Sequence, residues 1–162
     1  MGTLIPGASG RERAGVVGYA AGAFDLFHVG HLNILRQSAD RCDFLVAGVV
    51  SDEVLRETKG ITPVVPEDER AAIVASIGCV DAVYIERSSD RVSTWEDVRF
   101  DVFFKGDDWR GTAKGLALEE RLGAHGVRIE YFPYTLHTSS TRLRTALDQL
   151  DQLARTAATG RS

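Results

Sequence analysis

The sequence predicts an α/β fold of the Rossmann-like type, a single domain built on a doubly wound parallel sheet of about five strands. Short apolar runs alternate with longer amphipathic segments, which is the pattern of repeated βαβ units. The length of 162 residues is that of about one domain. No internal repeat, low-complexity tract or linker divides the chain, so we expect one domain over residues 16–155.

Five apolar runs predict the strands, because each is rich in Val, Ile or aromatic residues and is bounded by Gly, Asp or Pro. These runs comprise residues 16–21, 44–50, 82–85, 102–105 and 127–132. Helical spacing predicts helices over residues 31–39, 67–77, 116–124 and 140–154. Residues 58–66 are expected to form the longest loop near the middle, residues 1–15 a flexible leader and residues 156–162 a flexible tail.

Composition and charge exclude several classes of protein. With 44% hydrophobic and 26% charged residues, the chain has the balance of a globular protein rather than a disordered one. The formal net charge of -4 provides no cationic field, so no nucleic-acid partner is expected. No apolar stretch reaches the ~18 residues of a membrane helix. Cys42 and Cys79 form no paired-thiol pattern, and we predict a cytoplasmic protein without membrane association.

The segment after the first predicted strand carries the strongest functional signal. Residues 22–31 read Gly-Ala-Phe-Asp-Leu-Phe-His-Val-Gly-His. Glycine at the strand exit lets a ligand approach the backbone, and the N-terminus of the following helix attracts anions. His28 and His31 are three residues apart, with Gly30 between them, so both imidazoles can donate hydrogen bonds to one phosphate. The alternatives are two imidazoles that only satisfy the helix end, or a zinc site, which lacks a third ligand.

Polar residues also follow two later strands, where ligands of parallel α/β sheets bind. Gly106 permits a tight turn after the fourth strand, and Asp107 and Asp108 can hold a ribose hydroxyl, a base amino group or Mg²⁺, or can cap a turn. Ser139 and Ser140 stand at the start of the last helix, where hydroxyl groups cap free amides and anions bind. Candidate ligand groups therefore follow three of the predicted strands.

Three motifs together resemble the HxGH nucleotidyltransferase superfamily, in its cytidylyltransferase branch. Residues 22–31 match its histidine signature, residues 104–109 (FKGDDW) resemble the GDDW segment of bacterial glycerol-3-phosphate cytidylyltransferases, and residues 138–141 (TSST) resemble their closing motif. The likeness extends over residues 16–147. It implies transfer of CMP from CTP to a small phosphorylated alcohol, such as glycerol 3-phosphate, or to a phosphonate. It further implies pyrophosphate release, Mg²⁺ accompanying the nucleotide, and a homodimer.

The resemblance also implies a role for each candidate residue. The residues expected to act in catalysis are His28, His31 and Lys59, the last in the loop after the second strand. Those expected to bind the nucleotide are Ala23, Phe24, Gly30, Gly106, Asp107, Ser139 and Ser140. Those expected to contact the acceptor are Asp25, Arg70 and Tyr134. No metal ligands are assigned to the protein itself.

Two positions depart from the pattern of the glycerol-phosphate enzymes. Gly78 and Tyr134 stand where those enzymes carry arginines, which removes positive charge from the expected pocket. The identity of the acceptor is therefore left open. One alternative is an adenylyltransferase that acts on a sugar phosphate or a cofactor precursor. Another is a regulatory module that binds a nucleotide without turnover.

Overall fold

A computed structural model describes residues 4–133 and 139–159 as a six-stranded sheet with helices on both faces. The strands are β1 (Leu4–Pro6), β2 (Val17–Gly22), β3 (Phe44–Val50), β4 (Ala82–Glu86), β5 (Val102–Gly106) and β6 (Arg128–Phe132). The helices are α1 (Val29–Ala39), α2 (Asp52–Lys59), α3 (Glu67–Ala75), α4 (Arg91–Val98), α5 (Ala113–Gly123) and α6 (Ser140–Thr159). A short 3-10 helix spans Asp107–Trp109.

The sheet has the strand order β1-β4-β3-β2-β5-β6. Strands β2 to β6 are parallel to their neighbours, whereas β1 pairs antiparallel with β4. From β2 the chain moves outward through β3 and β4, and then crosses back to continue on the other side with β5. Because the direction reverses beside β2, a crevice is expected at the carboxyl end of that strand. The fold class predicted from the sequence is thus confirmed.

Two apolar layers hold the helices against the sheet. One layer includes Leu35 of α1 and Val74 of α3, and the other includes Val98 of α4 and Leu122 of α5. The central strand β3 is buried along its whole length, as expected for a parallel strand covered on both faces. Gly48 is required there, because a Cβ atom at this position would lie 2.0 Å from the hydroxyl oxygen of Tyr19.

Residues 4–13 correct the prediction of a flexible leader. Leu4–Pro6 form the edge strand β1. The guanidinium of Arg11 donates hydrogen bonds of 2.7 Å to both carboxylate oxygens of Asp81, and that of Arg13 binds the carbonyl groups of residues 98 and 99. A strand of three residues shows no periodicity, so its pairing with β4 was not visible in the sequence.

The helices also differ from the sequence prediction at several points. The prediction missed α2 and α4, and it placed Lys59 in a loop. The hydroxyl of Ser51 caps α2 by accepting from the amide of Val54, and Gly60 ends the helix with φ at 63°, so Lys59 is the last helical residue. Helix α6 continues to Thr159, beyond the predicted end at residue 154. Among residues 4–133 and 139–159, none of the helices could span a membrane.

Candidate functional site

A cleft of about 350 Å³ lies at the carboxyl ends of β2 and β5. Its walls come from the turn after β2, the start of α1, the end of α2, the end of β5 and the start of α6. It brings together the following residues predicted from the sequence: Ala23, Phe24, Asp25, His28, Gly30, His31, Lys59, Gly106, Ser139 and Ser140. Tyr134 lies outside the described residues. Asp107 is exposed at the start of the 3-10 helix and does not line the cleft.

The two histidines form the N-terminal cap of α1. The Nδ1 atom of His28 accepts a hydrogen bond from the amide of Gly30 at 3.1 Å, and the amide of His28 donates to Nδ1 of His31 at 3.3 Å. The rings stack with their centroids 3.9 Å apart. Because each Nδ1 atom accepts a hydrogen bond, a neutral ring must carry its own proton on Nε2. Helix capping and the presentation of two Nε2–H donors are therefore compatible.

The surroundings keep both histidines uncharged at neutral pH. Burial lowers the pKa of His28. Burial, with a smaller contribution from the charge of His28, lowers the pKa of His31 to about 4, although the nearby carboxylate of Asp25 opposes this change. Two neutral N–H donors beside the positive end of a helix form an arrangement that can stabilise negative charge developing on a phosphate.

The start of α6 lies directly beside this pair. The hydroxyl of Ser140 donates to the carbonyl oxygen of Asp25 at 2.6 Å, and its oxygen lies 3.4 Å from Nε2 of His28. The hydroxyl of Ser139 accepts a hydrogen bond from the amide of Arg142 at 3.2 Å. Ser139 thus caps α6, Ser140 links the helix to the turn after β2, and both border the cleft, so one anion at this place could contact α1 and α6 together.

Asp25 lines the cleft and also positions neighbouring segments, while its contact with the acceptor stays a prediction. Its carboxylate is buried and accepts hydrogen bonds of 3.0 Å from the amides of Val64 and Val65 and from Nη2 of Arg144. Burial alone would raise the pKa of Asp25, but the bonds from Val65, Val64 and Arg144 outweigh it and lower the pKa. Asp25 therefore ties the loop 60–66 and α6 to the end of β2.

The turn that carries Asp25 has a strained backbone. Phe24 and Leu26 adopt left-handed conformations, with φ at 53° and 50°. Such angles cost roughly 1–2 kcal/mol for a residue other than glycine, and they persist only where surrounding contacts impose them. The three hydrogen bonds of Asp25 and the buried ring of Phe24 supply those contacts.

Arg70 also stands behind the cleft rather than in it. Its side chain is 0% exposed. Its guanidinium donates to the carbonyl oxygens of Val65 at 2.8 Å and Val50 at 2.9 Å, and also to that of Ala23. It pairs with the carboxylate of Asp52 as well. Arg70 therefore does not line the cleft but joins the ends of β2 and β3 to the loop 60–66, and its contact with the acceptor stays a prediction.

Sequence reasoning missed the contribution of Lys105, and it considered Trp109 only as part of the GDDW-like segment. Both residues line the cleft, with the ammonium nitrogen of Lys105 4.0 Å from the centroid of the Trp109 ring. Burial lowers the pKa of Lys105 to about 8, and the charges of Arg91 and Lys59 act in the same direction. The sequence did contain an indication that Lys105 lies at the site. This lysine interrupts an apolar run directly before Gly106, and ligand contact was already expected at Gly106.

Comparison with known proteins gives consistent results. A family model described as Cytidylyltransferase-like matches residues 19–146. The Bifunctional protein HldE of Acidiphilium cryptum (strain JF-5) is 37% identical over 137 residues, which are 83% of this chain and 28% of that protein. The Bifunctional protein HldE of Koribacter versatilis (strain Ellin345) is 37% identical over 123 residues, which are 75% of this chain and 25% of that protein. The chain thus spans about a quarter of the length of these curated relatives.

A solved structure has the same fold. The lipopolysaccharide core biosynthesis protein from Thermoplasma volcanium GSS1 matches with a TM-score of 0.65 and 24% identity, covering 77% of this chain and 100% of that one. The resemblance seen in the motifs is confirmed, because the family model extends from within β2 into α6 and so includes every wall of the cleft. The chain belongs to the cytidylyltransferase-like family of nucleotidyltransferases.

Proposed function

We propose that the chain transfers an adenylyl group from ATP to the phosphate of a sugar phosphate, with release of pyrophosphate. The observation that carries the proposal is the stacked, neutral pair of His28 and His31 at the start of α1, inside a cleft where parallel α/β sheets bind ligands. Nucleotidyl transfer needs donors at the α-phosphate. His28 and His31 can each direct an Nε2–H group there, with the Ser140 hydroxyl oxygen 3.4 Å from Nε2 of His28.

In the proposed reaction, an oxygen of the acceptor phosphate attacks the α-phosphorus of the nucleotide. The bond from that phosphorus to the oxygen bridging the α- and β-phosphates breaks, and pyrophosphate leaves with the electron pair. Because the attacking oxygen is already anionic, no general base and no covalent enzyme intermediate are required. His28 and His31 stabilise the charge that develops on the α-phosphoryl oxygens, while Lys59 contributes a positive charge from the end of α2.

Mg²⁺ is proposed as the companion of the nucleotide. Among residues 4–133 and 139–159, no group of three or more His, Cys, Asp or Glu side chains could hold a metal ion. Asp108 does line the cleft, and Mg²⁺ is commonly bound by one or two carboxylates together with substrate phosphates. These residues fit an ion carried by the nucleotide, with Asp108 as the protein group that would hold it. When bound, the ion would neutralise charge on the leaving pyrophosphate.

Two observations favour a sugar phosphate and ATP over glycerol 3-phosphate and CTP. The likeness to HldE proteins fits the adenylyl alternative better. In addition, Gly78 lies at an exposed turn after α3 and supplies no charge where the glycerol-phosphate enzymes have an arginine. Cytidylyl transfer to a phosphorylated alcohol or a phosphonate remains the second candidate, because Gly106, Asp108 and Trp109 of the GDDW-like segment line the cleft.

Pyrophosphate release tests the proposal directly. The protein is incubated with Mg²⁺ and either ATP or CTP, against a panel of sugar phosphates, phosphorylated alcohols and phosphonates. We expect turnover with ATP and a sugar phosphate, and a loss of about 10²–10³-fold in His28→Ala. His125→Ala is the matched control, because the His125 ring packs on Trp95 and does not line the cleft. Turnover with CTP but not with ATP would favour the second candidate, cytidylyl transfer.

The regulatory alternative gives a different result in the same assay. A module without turnover would show a higher melting temperature with nucleotide but no pyrophosphate release with any acceptor. The absence of both effects would refute nucleotide binding. The homodimer and the cytoplasmic location stay predictions, which sedimentation of the purified protein and cell fractionation would check.

A further inference from the structure

The hydroxyl of Ser140 connects the start of α6 to the histidine pair. Ser140 is the first residue of α6, and His28 caps α1, 112 residues earlier in the chain. The Ser140 oxygen lies 3.4 Å from Nε2 of His28, and the same hydroxyl donates to the carbonyl oxygen of Asp25 at 2.6 Å. One serine therefore contacts both the turn after β2 and the imidazole that the proposed chemistry uses.

The contacts of this hydroxyl determine the direction of its hydrogen bond with His28. A serine hydroxyl has one proton and a carbonyl oxygen can only accept, so the Ser140 proton lies in the bond to Asp25. The Ser140 oxygen can then only accept from His28, which must carry its proton on Nε2. The amide of Gly30 donates to Nδ1 of His28 at 3.1 Å, which requires the same tautomer. Each nitrogen of this ring is thus held by one hydrogen bond.

The carbonyl group that accepts the Ser140 proton is itself held in place. It belongs to Asp25, which lies between the left-handed residues Phe24 and Leu26 and whose carboxylate accepts three hydrogen bonds. One of these bonds comes from Arg144, four residues after Ser140 and therefore on the same face of α6. Helix α6 thus binds Asp25 twice, at the carbonyl group and at the carboxylate. This double attachment fixes the position of the Ser140 oxygen.

The orientation of His28 depends on hydrogen bonds more than that of His31 does. The ring of His31 packs against Phe24 and Phe27, with ring centroids 5.3 and 5.4 Å apart. Within the described part of the chain, the stack on His31 is the one ring contact of His28, which is only half-buried. Because packing leaves the His28 ring free to tilt and rotate, the bond to Ser140 is needed to direct its Nε2–H group.

We propose that Ser140 is a positioning residue, which holds the His28 imidazole with its Nε2–H group directed into the cleft. This assignment rests on the proposed function. In the free protein the Ser140 oxygen accepts the Nε2–H hydrogen bond. In the complex an α-phosphate oxygen replaces it, because a charged oxygen is the stronger acceptor. The imidazole is then already oriented when the nucleotide binds, so the reaction requires no reorientation of this ring. This role differs from that of a phosphate ligand, which the sequence predicted for Ser140.

Proton exchange at Nε2 tests this contact without any substrate, by NMR of the nitrogen-15-labelled protein at pH 7. We expect the Nε2–H proton of His28 to exchange with water roughly five- to tenfold faster in Ser140→Ala, because the accepting oxygen is removed. Ser140→Thr keeps the hydroxyl and should restore the slow exchange. Ser139→Ala is the matched control and should leave the exchange unchanged, since the Ser139 hydroxyl accepts from the amide of Arg142 within α6. Equal exchange in the wild type and Ser140→Ala would overturn the assignment.

Steady-state kinetics separates positioning from phosphate binding. We expect kcat to fall about tenfold in Ser140→Ala, less than the ~10²–10³-fold loss on removal of the imidazole, while the KM for the nucleotide changes less than about twofold. Ser140→Thr should restore kcat. A higher nucleotide KM with an unchanged kcat would indicate a phosphate ligand and overturn the assignment. If no acceptor supports turnover in the wild type, the proposed function fails, and proton exchange at His28 still decides the role of Ser140.

Discussion

Replacing Arg70 with methionine removes a buried guanidinium from behind the cleft and keeps an unbranched side chain. The change leaves the carbonyl oxygens of Val50, Val65 and Ala23 without this donor. It also unpairs the carboxylate of Asp52, which is only 26% exposed. Three lost hydrogen bonds at ~1 kcal/mol each account for about 3 kcal/mol. The unpaired carboxylate is partly hydrated, so it adds up to about 2 kcal/mol rather than the full cost of a buried pair, and the free energy of unfolding should fall by about 3–5 kcal/mol.

Urea unfolding at pH 7, followed by circular dichroism, measures this loss as a lower transition midpoint with an unchanged m-value. Arg87→Met is the matched control. The Arg87 side chain is 60% exposed and pairs with Glu67, so its removal should cost less than ~0.5 kcal/mol. If Arg70→Met lowers the free energy of unfolding by less than about 1 kcal/mol, the buried network does not hold the strand ends as described.

Single titratable groups give the remaining predictions. His31 should stay neutral down to about pH 4, with its proton on Nε2; a nitrogen-15 NMR titration checks this, and a midpoint near ~6.5 would contradict it. Asp25 has a lowered pKa in the folded protein. Its ionised carboxylate therefore stabilises the fold above about pH 4, and this contribution to the free energy of unfolding is lost as the pH falls through the folded-state pKa. The stability gap between wild type and Asp25→Asn should therefore narrow in acid, and a constant gap in urea unfolding would count against this role. Burial raises the pKa of the Cys42 thiol to about 11, so it should react with a disulfide reagent roughly a hundredfold more slowly in the folded than in the unfolded protein at pH 8.

The parallel core of the fold was predictable because its strands are buried on both faces. A buried strand of this kind appears in the sequence as a continuous apolar run, as in β3. Helices α2 and α4 have eight residues each and bury only two side chains each, so neither contains the apolar residues that marked the longer helices. β1 has three residues and depends on β4, more than seventy residues away, for its partner. The elements that the sequence did not predict are therefore those with little local pattern and those that depend on distant contacts.

The same distinction applies to the candidate site. His28 and His31 were predictable because one local segment contains the strand exit, the glycine and both imidazoles. The position of Arg70 was not predictable. An arginine near the start of a helix is expected to be exposed because it is charged. Only the assembled ends of β2 and β3 supply the carbonyl groups that bury it. Lys105 was counted as a strand residue, and only the assembled structure shows that it lines the cleft with its ammonium over the ring of Trp109.

The most direct test of the central claim follows the oxygen atoms of the acceptor. A sugar phosphate labelled with oxygen-18 in its phosphate is incubated with ATP, Mg²⁺ and the protein, and the products are analysed by mass spectrometry. Attack on the α-phosphorus predicts that all of the label appears in a nucleotide-sugar and none in pyrophosphate, and that formation of this product falls about 10²–10³-fold in His28→Ala. Label in pyrophosphate, or a rate that His28→Ala leaves unchanged, would contradict nucleotidyl transfer by the histidine pair.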